Sequence, residues 1–323
     1  MFLKKVKEHW FLLGLLAIAG LTVMDGSGAV AAGGKWLKAH RGPDVVIGLI
    51  FFVSGLILRS EEVRSGIGDV KGTLAAMATI IVLAPLAAVV LDQLPLTPGL
   101  RIGLFLTAVM PTTLTSGVVM TGAAGGNMAH ALLITLLSNG IGVMTVPISL
   151  AMLLGLGNAP EAIPFDRVGL MVQIATLVLL PLILGMALRP RRDAWLKVLR
   201  RTGPVVNQSL ILFIVWMAFS GARASVVGGG AQIAFAVLLS FVFHALLVAA
   251  AFALSKLLKL GPGRREAVVF MGGQKTLALA ILVQTTLFPQ YGLALALCVI
   301  HHFVHLIMDG YLVNWFRRRH KPR

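Results

Sequence analysis

Charge is what this sequence has least of. Only 12% of its 323 residues are charged, and just 12 are acidic. Soluble globular chains run near a quarter charged, so a soluble fold of this size could not hide a chain that is 58% hydrophobic. Lipid is the alternative solvent, and there only helices and closed barrels satisfy their own backbone groups. Polar alternation is missing too. Apolar stretches of roughly 15–25 residues run without it, which is the pattern of a helix bundle and not of a barrel. Cysteine is nearly absent: Cys298 stands alone in an apolar run, so no intramolecular disulfide can form. There is no His-Glu-x-x-His, no Gly-x-Ser-x-Gly and no Walker-type glycine loop. The chain therefore reads as no enzyme, and it has no nucleotide site of its own to power transport. The net charge of +16 does not point to nucleic acid. Its cations lie between and outside the apolar runs, where they meet anionic headgroups, and no domain-sized soluble region is left to grip a duplex.

Ten apolar segments are present: Trp10–Met24, Val45–Leu58, Leu74–Leu91, Leu100–Ala123, Ala129–Leu156, Val168–Leu188, Pro204–Gly221, Ala231–Leu254, Ala267–Leu287 and Leu293–Val313. The second is short for a span, and Arg59 and Arg64 can snorkel to extend it. Lys4, Lys5 and Lys7 before the first segment, with small residues at Ala29–Ala32, give it the look of a secretory signal; the symmetry of the ten segments favours a first spanning helix. With the N-terminus in the cytoplasm, 21 of the 28 Lys and Arg residues fall on the cytoplasmic side and six on the other. That asymmetry follows the positive-inside rule and places a multi-pass protein in the inner (plasma) membrane with both ends cytoplasmic. The remaining cation, Lys275, sits inside the ninth segment.

The Pro- and Gly-rich linker Gly155–Pro164 divides the chain into two five-segment repeats, 1–155 and 156–323. An odd number of spans per half forces the second half to enter from the opposite face, as an inverted repeat. The fourth and ninth segments correspond, and each contains a break. Sliding one over the other by 161 residues pairs Met110 with Met271, Pro111 with Gly272 and Thr115 with Thr276. Pro111 removes a backbone donor, and Gly272-Gly273 weakens the helix. Unwound backbone at mid-bilayer is tolerated only where protein or a water-filled cavity receives its free groups, and half-helix ends aim partial charges at such a spot. Thr112, Thr113, Thr115, Ser116, Gln274 and Thr276 crowd the breaks with oxygens, so an ion and solute site is expected there. The bland alternative is a pair of ordinary kinks.

The stretches Pro111-Thr112-Thr113-Leu114-Thr115-Ser116-Gly117, Gly125-Gly126-Asn127 and Gly272-Gly273-Gln274-Lys275-Thr276 resemble the bile acid:sodium symporter family. The branch resembled contains solute carrier family 10 member 7 and its bacterial relatives. The resemblance covers essentially the whole chain. It implies an all-α membrane fold of ten transmembrane helices in which discontinuous helices 4 and 9 cross at midplane. It also implies a panel of spans 1, 2, 6 and 7, a core of spans 3–5 and 8–10, and alternating access with substrate bound between the two. In that pattern the sodium ligands fall at Ser116, Thr135 and Gln274, which match, and at Gly117, Ala131, Phe270 and a position near Ile80, which do not. The principal sodium carboxylate is therefore missing, and Lys275 stands beside its place. A midplane ammonium is costly without partners. Lys275 is expected either to replace a sodium ion, making transport proton-coupled or uncoupled, or to be a structural lysine reaching a polar cavity. The coupling ion is then sodium or a proton, and no other cofactor is expected.

His301, His305 and Asp309 follow i, i+4, i+8 spacing on the tenth segment and share one face. They can relay protons, hold a metal or simply hydrogen-bond between helices. His302 points elsewhere in this spacing, and His130 and His244 are lone bundle histidines. Asn139 lies one turn beyond Thr135 and can face the crossing. Asn207, Gln208 and Ser209 open the seventh segment, where they contact substrate or cap a helix. Three functions follow: a secondary transporter of a small organic anion, a regulatory protein on a transporter scaffold, and an intramembrane metalloenzyme.

Overall fold

The computed structural model describes residues 2–58, 68–156, 165–190 and 192–320. Arg59, Arg64, Arg191, Lys321, Arg323 and residues 157–164 of the linker lie outside the described residues. Among the described residues every regular element is helical. The elements are α1 (Phe2–Met24), α2 (Ala29–Ala39), α3 (Gly42–Ile57), α4 (Val70–Leu91), α5 (Pro98–Val109), α6 (Ser116–Ala123) and α7 (Met128–Leu156). They continue as α8 (Arg167–Ala187), α9 (Asp193–Val227), α10 (Gly230–Leu257), α11 (Arg264–Gly273), α12 (Leu277–Leu287) and α13 (Gly292–His320). Seven helical stretches are long and apolar enough to cross a membrane, with α11–α12 counted as one. There are eight if α1 and α2, which meet at 106°, form one bent span. α3 and α5 are shorter apolar helices.

Apolar side chains face outward as well as inward: Leu21, Leu74, Val90, Val168 and Tyr311 are all more than half exposed. The polar residues do the opposite. Thr112, Gln274, Lys275, His301, His305 and Asp309 are buried. This is the arrangement a lipid solvent selects. Every residue from Glu266 to Gln284, through most of α11 and α12, is buried, and this stretch forms the axis of the molecule.

α9 packs against α1, α2 and α3, and α3 packs against α8. The α3–α8 crossing brings backbone to backbone. A Cβ on Gly55 would lie 2.2 Å from the Leu182 carbonyl oxygen, and one on Gly185 would lie 2.1 Å from that of Phe52, so only glycine fits at either position. A second group surrounds the axis: α11 contacts α4, α6 and α10, while α13 contacts α5 and α10.

Four local features differ from the sequence expectation. α2 forms where only a connection was expected. α9 begins at Asp193, eleven residues before Pro204, so Asn207 to Ser209 lie mid-helix and cap nothing. The break between α11 and α12 is Gln274 to Thr276, while Gly272 and Gly273 are the last helical residues before it. Both α4 and α8 contain a π-turn, at Thr79–Leu83 and Ala175–Leu179, and each ends just ahead of a proline, Pro85 or Pro181.

Away from the centre, a polar knot ties the first half to the second. Asp69 caps α4 through the Gly72 amide (2.9 Å) and pairs with Arg264 Nε of α11 (2.7 Å), with His130 of α7 3.5 Å away. Asn127 caps α7, and its own amide donates to the Gly263 carbonyl (2.8 Å). Burial alone would raise the Asp69 carboxyl. Arg264, the Gly72 amide and His130 outweigh it and hold Asp69 below the usual carboxylate range. A depressed carboxylate contributes stability above its unfolded value and loses it as pH falls through the folded one. Asp69→Asn is therefore expected to lower the thermal midpoint of the detergent-purified protein at pH 7. The difference from wild type should narrow only below pH 3.8. A difference that stayed constant down to the acid transition would show that the charge is not what Arg264 binds.

Candidate functional site

The site is built from backbone that has lost its regular partners. α5 ends at Val109 because Pro111 has no N–H to give Thr107. The Met110 amide takes that carbonyl instead, at 3.4 Å, and the chain leaves the helix extended at ψ 143°. The carbonyls of Ala108 and Met110 are then free of helical donors. In α4 the π-turn sends the Ala84 amide to Thr79, so the Ile80 carbonyl has lost its α-helical donor. Its next partner in sequence, Pro85, has no N–H. The two broken helices meet through the Thr276 amide, which donates to the Pro111 carbonyl at 2.9 Å.

Lys275 collects the stranded carbonyls. Its Nζ donates to Ile80 O (3.1 Å), Ala108 O (3.0 Å) and Met110 O (3.0 Å), and the residue is 2% exposed. All three ammonium protons are used, and no carboxylate takes part. The negative end of the α5 helix adds to the attraction.

Gln274, the neighbouring residue of the break, forms the other half of the centre. Its Oε1 accepts from Thr113 Oγ1 (2.7 Å) and Ser116 Oγ (2.9 Å). Its Nε2 donates to Asp309 Oδ2 (2.7 Å) and contacts the Met120 sulfur (3.2 Å). Asp309 Oδ1 in turn lies 3.0 Å from His244 Nε2. One chain of polar contacts thus joins the first break, the second break, α13 and α10. At Gly117 an added Cβ would meet the Met271 sulfur at 2.7 Å and Gln274 Oε1 at 3.2 Å. No asparagine fits at that position while Gln274 holds it.

Thr113 Oγ1 also caps α6 by accepting from the Gly117 amide at 3.0 Å. Thr135 Oγ1 lies 3.4 Å from Thr113 O, and Asn139 Nδ2 donates to Thr112 O at 3.2 Å, so α7 braces the first break. Thr112 Oγ1 and Asn139 Oδ1 are buried and have no partner. Thr115 and Thr276 are the residues just ahead of α6 and α12. Twelve candidate residues had been singled out by sequence. Ten of them, Thr112, Thr113, Thr115, Ser116, Thr135, Asn139, Gln274, Lys275, Thr276 and Asp309, belong to this crossing or bond directly to it.

Among the described residues neither His301 nor His305 bonds directly to Asp309. Asp309 is engaged by His244 and Gln274. His305 Nε2 lies 2.9 Å from Nδ1 of His302, the residue whose spacing had set it apart. The His244, His301 and His305 rings stand 5.5–5.9 Å apart, centre to centre. Both nitrogens of His301 and Nδ1 of His244 and His305 are buried without a partner. Among the described residues no set of three His, Cys, Asp or Glu side chains is placed to hold a metal ion. Sequence spacing along one helix could not reveal His244 or His302, because both depend on how α10 and the other helices pack around α13.

Beside the crossing lies a cavity of about 650 Å³. Its floor is the crossing itself: Thr113 to Ser116, then Thr276 to Ala278, with His302 alongside. Trp10, Phe11, Ile50 and Ile211 make an apolar wall from α1, α3 and α9. Ser54 and Asn207 join that wall together, Asn207 Nδ2 donating to Ser54 Oγ at 2.7 Å. Lys275 does not line the cavity, and among the described residues no lining residue carries a formal charge.

A model of the SBF-like CPA transporter family matches residues 9–318. A rice protein (Oryza sativa subsp. indica) named probable sodium/metabolite cotransporter BASS4, chloroplastic, is 33% identical over 288 residues, covering 84% of this chain and 67% of the relative. Sodium/bile acid cotransporter 7-A of Xenopus laevis is 25% identical over 334 residues, 99% of this chain and 96% of the relative. The putative symporter YfeH of Escherichia coli K12 is 27% identical over 281 residues, 84% and 83% of the two chains. The chain belongs to the SBF-like CPA transporter family, and the resemblance to the bile acid:sodium symporters is borne out.

Replacing Lys275 by Met keeps most of the apolar stem and removes the donor. Three buried carbonyls then lose their partner, and each such loss costs about 1–3 kcal/mol. Lys275→Met is expected to destabilise the purified protein by about 3 kcal/mol or more, read as a large drop in thermal midpoint. Thr115→Ala, at a side chain outside the hydrogen-bonded network, should change it little. Equal midpoints for Lys275→Met and wild type would mean that the ammonium holds nothing together.

Proposed function

We propose that this member of the SBF-like CPA transporter family is a secondary transporter that carries a small organic anion across the inner membrane without sodium. The observation that carries the reading is the Lys275 ammonium held by three carbonyls where the broken helices cross, directly beneath the cavity floor. The family resemblance puts sodium ligands around this crossing, and several of those positions hold residues that cannot ligate. A tethered ammonium supplies a positive charge in the same neighbourhood.

The architecture that goes with this reading has ten membrane-crossing segments in two inverted repeats: α1, α3, α4, α5–α6 and α7, then α8, α9, α10, α11–α12 and α13. α1, α3, α8 and α9 form the panel and the others the core. The cavity lies between these groups, with Trp10, Tyr311 and Asn314 drawn from the helix ends nearest the two chain termini. With cytoplasmic termini, that is an inward-open state, and rocking of core against panel exposes the crossing to the other side. α6 and α12 both begin at the cavity floor. Their positive ends favour an anionic group on the solute, and the Trp10, Phe11 and Ile211 wall favours an apolar body attached to it.

The test is a thermal-shift series on purified protein. Wild type is expected to show the same midpoint in sodium as in choline chloride, whereas Lys275→Ala opens a cation vacancy and gains a sodium-dependent rise. Sodium stabilisation of the wild type itself would overturn the tethered-cation reading. A screen of amphipathic organic anions under the same conditions tests the cargo. Failure of every solute, together with a protein partner that co-purifies stably, would favour a regulatory role instead.

The unpartnered nitrogens of His244, His301 and His305, with His302 reaching the cavity, favour the proton as coupling ion. For a solute that raises the midpoint, uptake into proteoliposomes should quicken with an inside-alkaline gradient, and His302→Gln should abolish that response. Uptake indifferent to pH in wild type would leave the carrier uncoupled.

A further inference from the structure

A second cavity of about 550 Å³ opens between the end of α10, the start of α11 and the end of α13. Four cations line it: Lys256, Lys259, Arg265 and Arg319. Glu266 is the acid at hand, and its carboxylate is already engaged. It accepts from Arg265 Nη2 (2.6 Å) and from the Gly263 amide (2.5 Å). Lys256, Lys259 and Arg319 have no acidic partner among the described residues.

Both guanidinium groups rest against aromatic rings. Arg319 stacks 4.1 Å over the Trp315 ring and Arg265 lies 5.2 Å from the centre of Phe316. The turn after α10 is closed tightly: the Lys259 amide donates to Lys256 O and the Leu260 amide to Ser255 O, with Lys259 held at φ 53°. A left-handed lysine costs conformational energy, and here it sets Lys259 beside Lys256 on the cavity rim. Ser255 lines the same cavity, is 1% exposed, and its hydroxyl has no partner. A buried hydroxyl left unpaired is costly. An oxyanion in the cavity would satisfy it together with the four cations.

We propose that this cavity is a binding site for a phosphate-bearing anion, and that the headgroup of an anionic phospholipid is its occupant. Planar guanidinium pairs and ammonium groups suit phosphate oxygens. Position argues for lipid over a soluble anion. Trp315 is partly exposed at the end of a spanning helix, where aromatic side chains mark headgroup level, and Leu257, next to Lys256 at the end of α10, is an apolar side chain 76% exposed. Basic pockets between helices at this depth hold acidic headgroups. A bound phosphate would tie α10 and α13 to the start of α11, the first half of the buried broken helix.

Native mass spectrometry of the full chain in neutral detergent tests the site, using phosphatidylglycerol, phosphatidylcholine and inorganic phosphate as separate probes. Phosphatidylglycerol is expected to stay bound where phosphatidylcholine does not. The double variant Lys259→Gln/Arg319→Gln should weaken that binding by roughly tenfold or more. A control pair on exposed cations of α9, Lys197→Gln/Arg200→Gln, should leave it unchanged. Equal retention of the two lipids, or equal loss in both variants, overturns the site. Retention of inorganic phosphate with no preference for phosphatidylglycerol overturns the lipid assignment. Circular dichroism at matched temperature confirms that both variants are folded.

Discussion

An ammonium buried in a membrane protein must be solvated by something, and here it is solvated by backbone. Three carbonyls reach Lys275 because two different irregularities release them: the end of α5 ahead of Pro111 frees two, and the π-turn ahead of Pro85 frees the third. Neither side of the contact is stable without the other. Unpaired carbonyls in a water-free interior cost several kcal/mol, and so does an unpaired ammonium. Together they fix the mutual position of α4, α5 and the break between α11 and α12. That the partners are dipoles, with no carboxylate among them, leaves the Lys275 charge without a counter-ion in direct contact.

Gln274 extends the same logic outward. An amide is a donor and an acceptor at once, so it can join the hydroxyls of the first break to the carboxylate of Asp309, and through Asp309 to His244. The side chains at the cavity floor are thus coupled to groups deep in the bundle. A solute touching Thr113 or Ser116 contacts a network that four helices share. Such a network has few independent positions, which favours motion of these helices as one body.

The sequence carried this centre in part. Pro111 marked the first break because the loss of a backbone donor is a local property, readable from one residue. Gly272 and Gly273 misplaced the second break by about three residues. A glycine can free the backbone or let a neighbour approach, and spacing cannot distinguish the two. Here Cβ atoms at these positions would lie 3.1 Å from Thr79 and 3.2 Å from His244, so both glycines serve close packing inside a continuous helix. The π-turn in α4 was invisible because Thr79-Ile80-Ile81-Val82-Leu83 is as apolar and β-branched as many spanning stretches; only Pro85, two residues beyond its end, hints at it. The Gln274–Asp309–His244 chain spans three segments far apart in sequence, and which of their faces meet is decided by tertiary packing alone.

A tethered cation changes what can drive a transporter. A bound sodium ion arrives and leaves, and its gradient enters the cycle through the difference in occupancy between two faces. The Lys275 side chain is tethered at the crossing and does not line the cavity, so no sodium gradient works through it. It can hold the two breaks together and set the local potential, but it cannot supply the work of concentrating a solute. In the proposed cycle that work must enter through a group that exchanges with the cavity. His302 is the histidine that lines it, and through His305 it adjoins the buried imidazoles that lack partners. Structural charge and exchangeable charge would then belong to different residues, where in a sodium carrier one ion performs both tasks.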